Sequence, residues 1–394
     1  MAAATLTQRI KSRGMALGFD LVGISPVEEP THSTAFAAWL RQALHGEMAY
    51  MARTAEQRLY PSQFLPWGRS VVSVALNYNT PHPPPRAAEG MRGWISRYAW
   101  GEDYHDVMQV KLDQLLAFVR EVAGSEVQGR TFVDAGPVLD RETAARAGIG
   151  WFGKNTNLLS MQVGSFFVLG ELFLSVALDP DKPMRDRCGQ CRLCLDACPT
   201  RAFVGPYVLD ARKCISYLTI ELKGAIPREL RPLMGAHIFG CDICQEVCPY
   251  NTKCRPTAEP GFQPRPGRYA PELIPLLRLT ETEFRAKFRG SPILRAKRRG
   301  LLRNVCVALG NLGRPEAVSA LTEALTKDPE PLVRVHAAWA LGRIGGGKAE
   351  TALREARPRE RHGDVSEEIR LALERIGRPP EHRGEGEAHE GEEG

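Results

Sequence analysis

Three features of this sequence predict a multidomain chain, α/β at its start and all-α at its end, with a small cysteine-rich module between. Over about the first 180 residues, short apolar runs alternate with stretches of helical periodicity, the pattern of an α/β domain. Eight of the ten cysteines then fall between Cys188 and Pro249. Further on, A-L-G-N-L-G at Ala308–Gly313 returns as A-L-G-R-I-G at Ala340–Gly345 and A-L-E-R-I-G at Ala372–Gly377, a period of 32 residues. A length of 394 residues exceeds one ordinary core, and 43% hydrophobic with 25% charged residues is a soluble, globular balance.

Taken in order, residues 9–26 read as a helix, a glycine stop and a short buried strand. Val71 to Leu76 reads as a strand ending in the turn-prone N-Y-N-T-P-H-P-P-P. From His105 to Val122, Met108, Leu112, Leu115, Leu116, Val119 and Val122 recur at helical spacing and predict an amphipathic helix with one buried face. Thr131 to Val133 suits a strand that delivers Asp134 into a D-A-G-P turn, Arg141 to Ala147 suits a helix, and Gly148 to Gly153 a glycine-rich loop. Phe166 to Ala177 reads as two buried strands around Gly170 and Glu171. After the cysteines, Pro256 to Pro271 has the composition of a linker. The 32-residue units, each a pair of helices unable to bury its own face, predict stacked HEAT-like repeats. The divisions that follow are 1–180 for the α/β domain, 181–262 for the cysteine module, 263–300 for a linker and basic segment, 301–378 for the repeats and 379–394 for an acidic tail unable to bury a core.

The cysteines carry the strongest chemical signal. Cys188, Cys191, Cys194 and Cys198 follow the C-x₂-C-x₂-C-x₃-C-P spacing; Cys241, Cys244 and Cys248, followed by Pro249, repeat it without the first cysteine, and Cys214 is the obvious replacement. At this spacing three thiolates meet one cubane while the fourth turns to a neighbouring cluster. One [4Fe–4S] cluster is therefore expected on Cys188, Cys191, Cys194 and Cys248, and the other on Cys198, Cys214, Cys241 and Cys244, in a ferredoxin-like arrangement. Zinc wants paired C-x-x-C knuckles, and the start M-A-A-A-T-L-T-Q-R-I-K lacks the apolar run of a signal peptide, so a reducing, cytoplasmic setting fits better than a disulfide framework. Cys254 and Cys306 are left as packing residues. No stretch is long enough to span a membrane: Phe166 to Leu178 is interrupted and short.

Charge points to an anionic partner. The chain is +6; six Glu and one Arg from Pro379 to Gly394 contribute −5, which leaves +11 on the body. Phe284 to Asn304 holds Arg285, Lys287, Arg289, Arg295, Lys297, Arg298, Arg299 and Arg303 without an acid. Taken alone such a run is a solvated helix face, with Phe284 and Phe288 as core anchors. For acid–base work the candidates are few: Asp134 at a strand end, where partial desolvation would let it hold a proton longer, and the stretch Arg97 to His105, which is either an N-cap with aromatics or a cofactor rim. Gly150 to Asn157 offers Lys154 and main-chain donors to an anion but matches no nucleotide fingerprint.

Taken together, G-F-D-L-V-G-I-S, S-R-Y-A-W-G-E-D-Y-H, F-V-D-A-G-P-V-L-D-R, G-I-G-W-F-G-K-N-T-N-L-L, the two cysteine runs with Cys214 between them, C-P-Y-N and R-A-K-R-R-G-L-L-R-N resemble the epoxyqueuosine reductase family over residues 5 to 378. That resemblance implies an N-terminal corrinoid-binding domain holding cobalamin beside the two clusters, and reduction of the epoxide of epoxyqueuosine to queuosine, with loss of water, at the wobble position of tRNA. It implies Asp134 as proton donor. It places Arg58, Arg97, the loop with Asn155, Asn157, Leu158 and Ser160, and the neighbourhood of Ser216 and Asp242 around the corrinoid. The family varies at Arg97, and its usual C-P-W-N reads C-P-Y-N here. No histidine sits in the D-x-H-x-x-G pattern of corrinoid ligation, so cobalamin is expected without a protein histidine on cobalt. With tRNA implied, the basic run becomes a phosphate surface, namely Arg285, Lys287, Arg295, Lys297, Arg298 and Arg303 with Lys223 in support, gripping an anticodon stem-loop. An external electron donor and a monomeric enzyme complete the expectation, with Ile215 to Gly240 as a lid between the second cluster and the corrinoid domain. Two other readings stand beside it: a different corrinoid iron–sulfur reductase of the reductive dehalogenase kind, and a ferredoxin-type electron carrier with a HEAT docking arm and no chemistry of its own.

Overall fold

The computed structural model describes residues 4–377, so the acidic segment 379–394 lies outside the described residues. At the N-terminal end stands a four-stranded sheet of β1 (Leu21–Pro26), β2 (Ser70–Asn77), β3 (Gly129–Phe132) and β4 (Phe167–Leu174), in the order β1-β2-β4-β3. Every pairing is antiparallel, with Val74 opposite both Val22 and Gly170, and Phe132 opposite Glu171. Helix α1 (Leu6–Ala16), closed by a Thr5–Gln8 capping box, and helix α2 (Tyr104–Ala123) cover one face. There Ile10, Met108, Leu112, Leu115 and Val119 meet Ile24, Val72, Val74, Leu76 and Leu172. Helix α3 (Asp140–Arg146) and the turn-rich stretch after it cover the other face through Ala144, Ala147, Ile149, Leu158 and Val163. With both faces covered, β2 has no exposed residue, which is why its sequence, S-V-V-S-V-A-L-N, shows no strict alternation of apolar and polar residues.

Strands alternate with helices as expected, and the strand direction that this alternation leaves open is antiparallel throughout the sheet. One expectation changes here. The two strands expected around Gly170 and Glu171 are the single strand β4. Gly170 leaves room for α2: a Cβ there would stand 2.9 Å from Met108 Cε and from Leu112 Cδ1. Glu171 is carried wholly buried through the middle of the sheet.

The cysteine module is tied to its neighbours on both sides. Strand His237–Phe239 pairs in parallel with Trp94–Ile95 of the N-terminal region, and helix α4 (Ile215–Ile220) packs beneath the first repeat helix. The expected linker is docked instead: Arg255 binds Asp20 at 2.7 Å, and the Thr257 N–H donates to Asn79 O. Beyond it Leu273, Leu276, Leu277, Phe284, Phe288 and Ile293 join one core with the repeats, so the two phenylalanines are anchors as expected. The expected lid, Ile215 to Gly240, is accordingly a strut between the N-terminal region and the repeats.

The array consists of α5 (Lys297–Leu312), α6 (Val318–Lys327), α7 (Pro331–Ile344), α8 (Gly347–Ala356) and α9 (Gly363–Gly377). Helix α7 packs between α5 and α9, while α6 packs on α8. The repeated glycine has a steric cause. At Gly310 a Cβ would stand 2.7 Å from the Trp339 ring and 2.9 Å from Ala340 Cα, and at Gly342 it would stand 2.6 Å from Ala372 Cβ. The third motif carries exposed Glu374 at the equivalent place, where no described helix follows. Gly310→Val is therefore expected to destabilise the protein by about 1–3 kcal/mol, and Glu374→Ala by no more than about 0.5 kcal/mol, read from thermal or denaturant unfolding.

Candidate functional site

The ten cysteines are free thiols, and eight of them gather in two neighbouring groups. Burial pushes the Cys194 thiol up to about 11, and the nearby Cys248, Cys188 and Cys191 push it the same way. Burial likewise raises Cys244, whose thiol neighbours are Cys241, Cys214, Cys194 and Cys198. The fold thus brings Cys248 back to the first run and Cys198 and Cys214 to the second, the crossing that the spacing implied. Thiols so crowded and buried stay protonated unless a cationic core takes them as thiolates. Main-chain N–H groups already point at the sulfurs: Ala202 N–H donates to Cys198 at 3.3 Å, those of Ser216 and Tyr217 to Cys214, and that of Ile243 to Cys241. Lys154 does not wait for an anion. Its ammonium donates to Gly189 O (2.6 Å) and Cys191 O (2.9 Å), bracing the first cysteine loop.

The second cysteine run is fastened to the N-terminal region through Asp242. Its buried carboxylate accepts from the Ser96 hydroxyl and from Arg97 N–H at 2.7 Å. Arg97 itself is buried, donating to Asn79 and to the carbonyls of Thr80 and His82, with its guanidinium over Trp100 and Phe166. It therefore shapes the site from behind. In the loop 155–160, Asn155 donates to Cys244 O at 3.2 Å and Asn157 reaches Cys244 Sγ at 3.8 Å. Leu158 is buried, and Ser160 is buried in its own turn, accepting from Gln162 N–H, so the Ser160 hydroxyl is already engaged.

Asp134 leaves the end of β3 with φ +53°, a left-handed conformation that costs a non-glycine residue and marks a constrained loop. Its side chain is 63% exposed, so the desolvated carboxyl expected from the sequence is not what the fold provides. What it provides is a set of proton-bearing neighbours. The Tyr104 hydroxyl donates to Asp134 Oδ2 at 2.5 Å. His105 Nε2 stands 3.9 Å from the same oxygen, and its Nδ1 meets Asp103 Oδ1 at 2.7 Å. Burial opposes charge on His105, but the hydrogen bond and charge of Asp103, helped by Asp134, outweigh it and raise the pKa. Asp103 is at once the N-cap of α2 and the partner of the imidazole. These three residues were legible as an N-cap or a cofactor rim but not as partners of Asp134, because nothing local reveals that a loop 30 residues later lies opposite. Arg58, expected at a cofactor, donates to Val138 O and to Gly136 O (3.0 Å) and so clamps the Asp134 loop.

Tyr98 connects these parts. Burial raises its pKa well above the ordinary value, with Asp134, Tyr78, Asp242 and Glu221 adding to the rise. The Tyr98 ring packs edge-on against Tyr104, whose hydroxyl holds Asp134, at 5.9 Å, and at a tilt against Phe239, two residues before Cys241, at 6.0 Å, so it bridges Asp134 and the second cysteine run. Arg295 makes a two-pronged contact with Glu221 (3.1 and 3.0 Å), lies over Tyr50, and is close enough to Asp134 to feel its charge. Lys223, Arg285, Lys287, Arg289 and Lys297 are exposed. Two members of the expected phosphate surface are not available to it. Arg298 is bound to Leu279 O and Asp328. Arg303 is 0% exposed, donating to Leu218 O (2.6 Å), Leu222 O (2.9 Å) and Gly224 O (2.7 Å), and burial lowers its pKa to about 9.

Comparisons with known proteins place this geometry. Three family models match: a 4Fe-4S double cluster binding domain over residues 187–251, epoxyqueuosine reductase QueG, DUF1730, over 58–135, and HEAT repeats over 292–374. The chain is 46% identical over 341 residues to the epoxyqueuosine reductase of Pseudomonas aeruginosa (86% of this chain, 94% of that one) and 43% identical over 341 residues to that of Escherichia coli K12 (85% and 88%). It is similar to the crystal structure of an epoxyqueuosine reductase with a tRNA-Tyr epoxyqueuosine-modified stem loop, with a TM-score of 0.87 at 33% identity, covering 94% of this chain and 98% of that one. It is also similar to the Bacillus subtilis epoxyqueuosine reductase with its catalytic aspartate loop swung out of the active site, with a TM-score of 0.85 at 32% identity, covering 94% and 99%. No helix among the described residues is long and apolar enough to cross a membrane.

The buried guanidinium allows a direct check. Arg303→Met leaves three carbonyls without their donor and is expected to cost about 3 kcal/mol or more in unfolding.

Proposed function

This chain belongs to the epoxyqueuosine reductase family, and on that premise we propose that it reduces the epoxide of epoxyqueuosine to the alkene of queuosine at the wobble position of tRNA. It is an oxidoreductase, and its 4Fe-4S double cluster domain is the iron–sulfur part of the machinery. The observation that carries the reading is the joining of two chemistries through Tyr98, which packs on Phe239 beside the second cysteine run and on Tyr104, the residue that with His105 supplies Asp134 with proton-bearing neighbours. We assign one cluster to Cys188, Cys191, Cys194 and Cys248, and the other to Cys198, Cys214, Cys241 and Cys244.

We read the site as one for a cobalamin held without a histidine on cobalt, a reading supported by His105, the imidazole beside Asp134, whose Nε2 is turned to that carboxylate at 3.9 Å. The loop Asn155–Ser160 and the neighbourhood of Ser216 and Asp242 would hold it, with Arg58 and Arg97 supporting from behind. When bound, it supplies low-valent cobalt, fed by the clusters, as the reductant of the epoxide carbon.

The chain's own residues manage oxygen and protons. Converting the epoxide to an alkene and water takes two electrons and two protons. Asp134 protonates the departing oxygen, and Tyr104 and His105 are placed to return a proton to it. We read the Asp134 loop as mobile between an inward and an outward position, as in the Bacillus subtilis relative. The stem-loop would lie along Arg295, Lys297 and Lys223, with Arg285 and Lys287 further out, phosphate contacts setting position while the flipped base enters the site. The setting is the cytoplasm, with an external electron donor.

Anaerobic reconstitution with cobalamin and reductant, followed by nucleoside analysis of epoxyqueuosine-containing tRNA, tests the whole reading, and absence of queuosine would overturn it. Asp134→Asn should lower kcat by about 100-fold or more while RNA binding persists. His105 is cationic, and able to donate, below its raised pKa and loses the proton as pH rises through it. Turnover should therefore decline on an alkaline limb lying above about pH 6.5, the ordinary imidazole value, and His105→Gln should remove that limb. Lys223→Ala with Lys297→Ala should flatten the dependence of log K on log salt by about 0.7 per lost single-strand phosphate contact.

A further inference from the structure

The sheet beneath the site contains a feature that the reaction, as just derived, does not use. Glu171, in the middle of β4, is 0% exposed, and its cross-strand partners are Ser73 on β2 and Phe132 on β3. Helix α3 packs on β4, and the carboxyl of its first residue, Asp140, lies close enough to that of Glu171 for each to act on the other. Among the described residues no donor reaches Asp140 Oδ1 or either oxygen of Glu171, and all three atoms are shielded from solvent. Two carboxylates cannot donate to each other, so a pair buried side by side without a donor is relieved by one proton held between them. Burial raises both pKa values, Glu171 well above the ordinary range. The charged groups facing the pair are Asp134, which disfavours a second negative charge, and Arg58, which favours the first on Asp140.

The position of this pair is the telling point. Glu171 pairs across the sheet with Phe132, two residues before Asp134, while Asp140 closes the same loop at its other end. Between them the loop is gripped by Arg58 at Gly136 O and Val138 O, and Asp134 is held at φ +53°. A buried pair of acids is costly where apolar residues would pack, and this one joins the two ends of one short functional loop. We propose that Asp140 and Glu171 are a positioning pair for the proton donor: the proton they share ties the far end of the loop to the central sheet and holds Asp134 over the site. The inference rests on the reading of Asp134 given above. The sign follows from the chemistry. A carboxyl whose proton is held more tightly in the folded state gives up that stabilisation as pH rises through the folded-state titration. The tie therefore weakens toward alkaline pH, when a second negative charge would be buried beside the first.

The test uses the full, cluster-loaded chain and follows amide hydrogen exchange of residues 133–140 alongside turnover of an epoxyqueuosine-containing stem-loop. Glu171→Gln keeps a permanent donor to Asp140, whereas Glu171→Leu removes it at similar volume. Relative to Glu171→Gln, wild-type loop exchange should rise roughly tenfold per pK unit beyond the titration of the pair, and kcat should fall with KM for RNA unchanged. Glu171→Leu should show the loosened loop at every pH. Wild-type and Glu171→Gln profiles that coincide would overturn the proposal, as would full loop protection in Glu171→Leu; if that variant does not fold, the first comparison decides. Should Asp134→Asn retain full turnover, the reading of Asp134 fails, while the exchange profile still decides whether the pair holds the loop.

Discussion

The buried carboxylate of Asp242 sets the spacing on which the rest of the structure depends. It lies between two cysteines of the second run and accepts hydrogen bonds from Ser96 and from the main chain of Arg97. Burial raises its pKa, opposed by those bonds and by the charge of Arg97, so it can remain ionised only in this cradle. Because the knot joins the electron-carrying module to the sheet domain, it fixes how far the second thiol group stands from Asp134. The parallel pairing of His237–Phe239 with Trp94–Ile95 runs alongside and turns a point contact into a seam.

A second constraint works from the opposite side. Arg303 and Asn304 reach from the first repeat helix into the strut that follows Cys214. Arg303 donates to carbonyls of Leu218, Leu222 and Gly224, and Asn304 to those of Thr219 and Ile238. Buried carbonyls at the end of a short helix need donors, and two long polar side chains supply them. The repeats are therefore more than an appended arm, since they hold the segment that carries Cys214. The same helix begins in exposed Lys297, so one element stabilises the cluster module at its centre and presents charge at its start.

The site combines enclosed and exposed parts. Thiols, Asp242 and the loop 155–160 are fixed by main-chain hydrogen bonds and burial. Asp134 stands on a strained loop with an exposed side chain, touched by Tyr104 and His105 from a helix N-terminus. On the proposed reading, a proton donor on an exposed loop can meet a bulky RNA substrate, and helix-borne partners can recharge it from a fixed position.

Much of this was legible in the residues. Thiol spacing determined the two-group crossing, because local loops of that length leave a trailing cysteine only one direction to turn. The 32-residue period determined the repeats, and its glycines mark where helices touch. Helical periodicity located α2 and its buried face to within a residue or two. Other features exist only in three dimensions. Strand direction was hidden because apolar runs look alike in either direction, and β4 looked broken because Gly170 and Glu171 answer to α2 and Asp140, which are distant in sequence. The basic run looked uniform, yet Arg303 faces carbonyls, Arg298 faces Asp328 and Arg295 faces Glu221 and Tyr50, since Arg295 precedes α5 and the helix then turns Arg298 and Arg303 to different surroundings. Asp103, Tyr104 and His105 read as a helix cap or a cofactor rim, and only the fold set Asp134 against them. The sequence by itself determined which groups this protein carries, because ligand spacing and repeat period are local. Only the tertiary structure decided which of them meet, because the pairs that matter are brought together by packing between segments far apart in the chain.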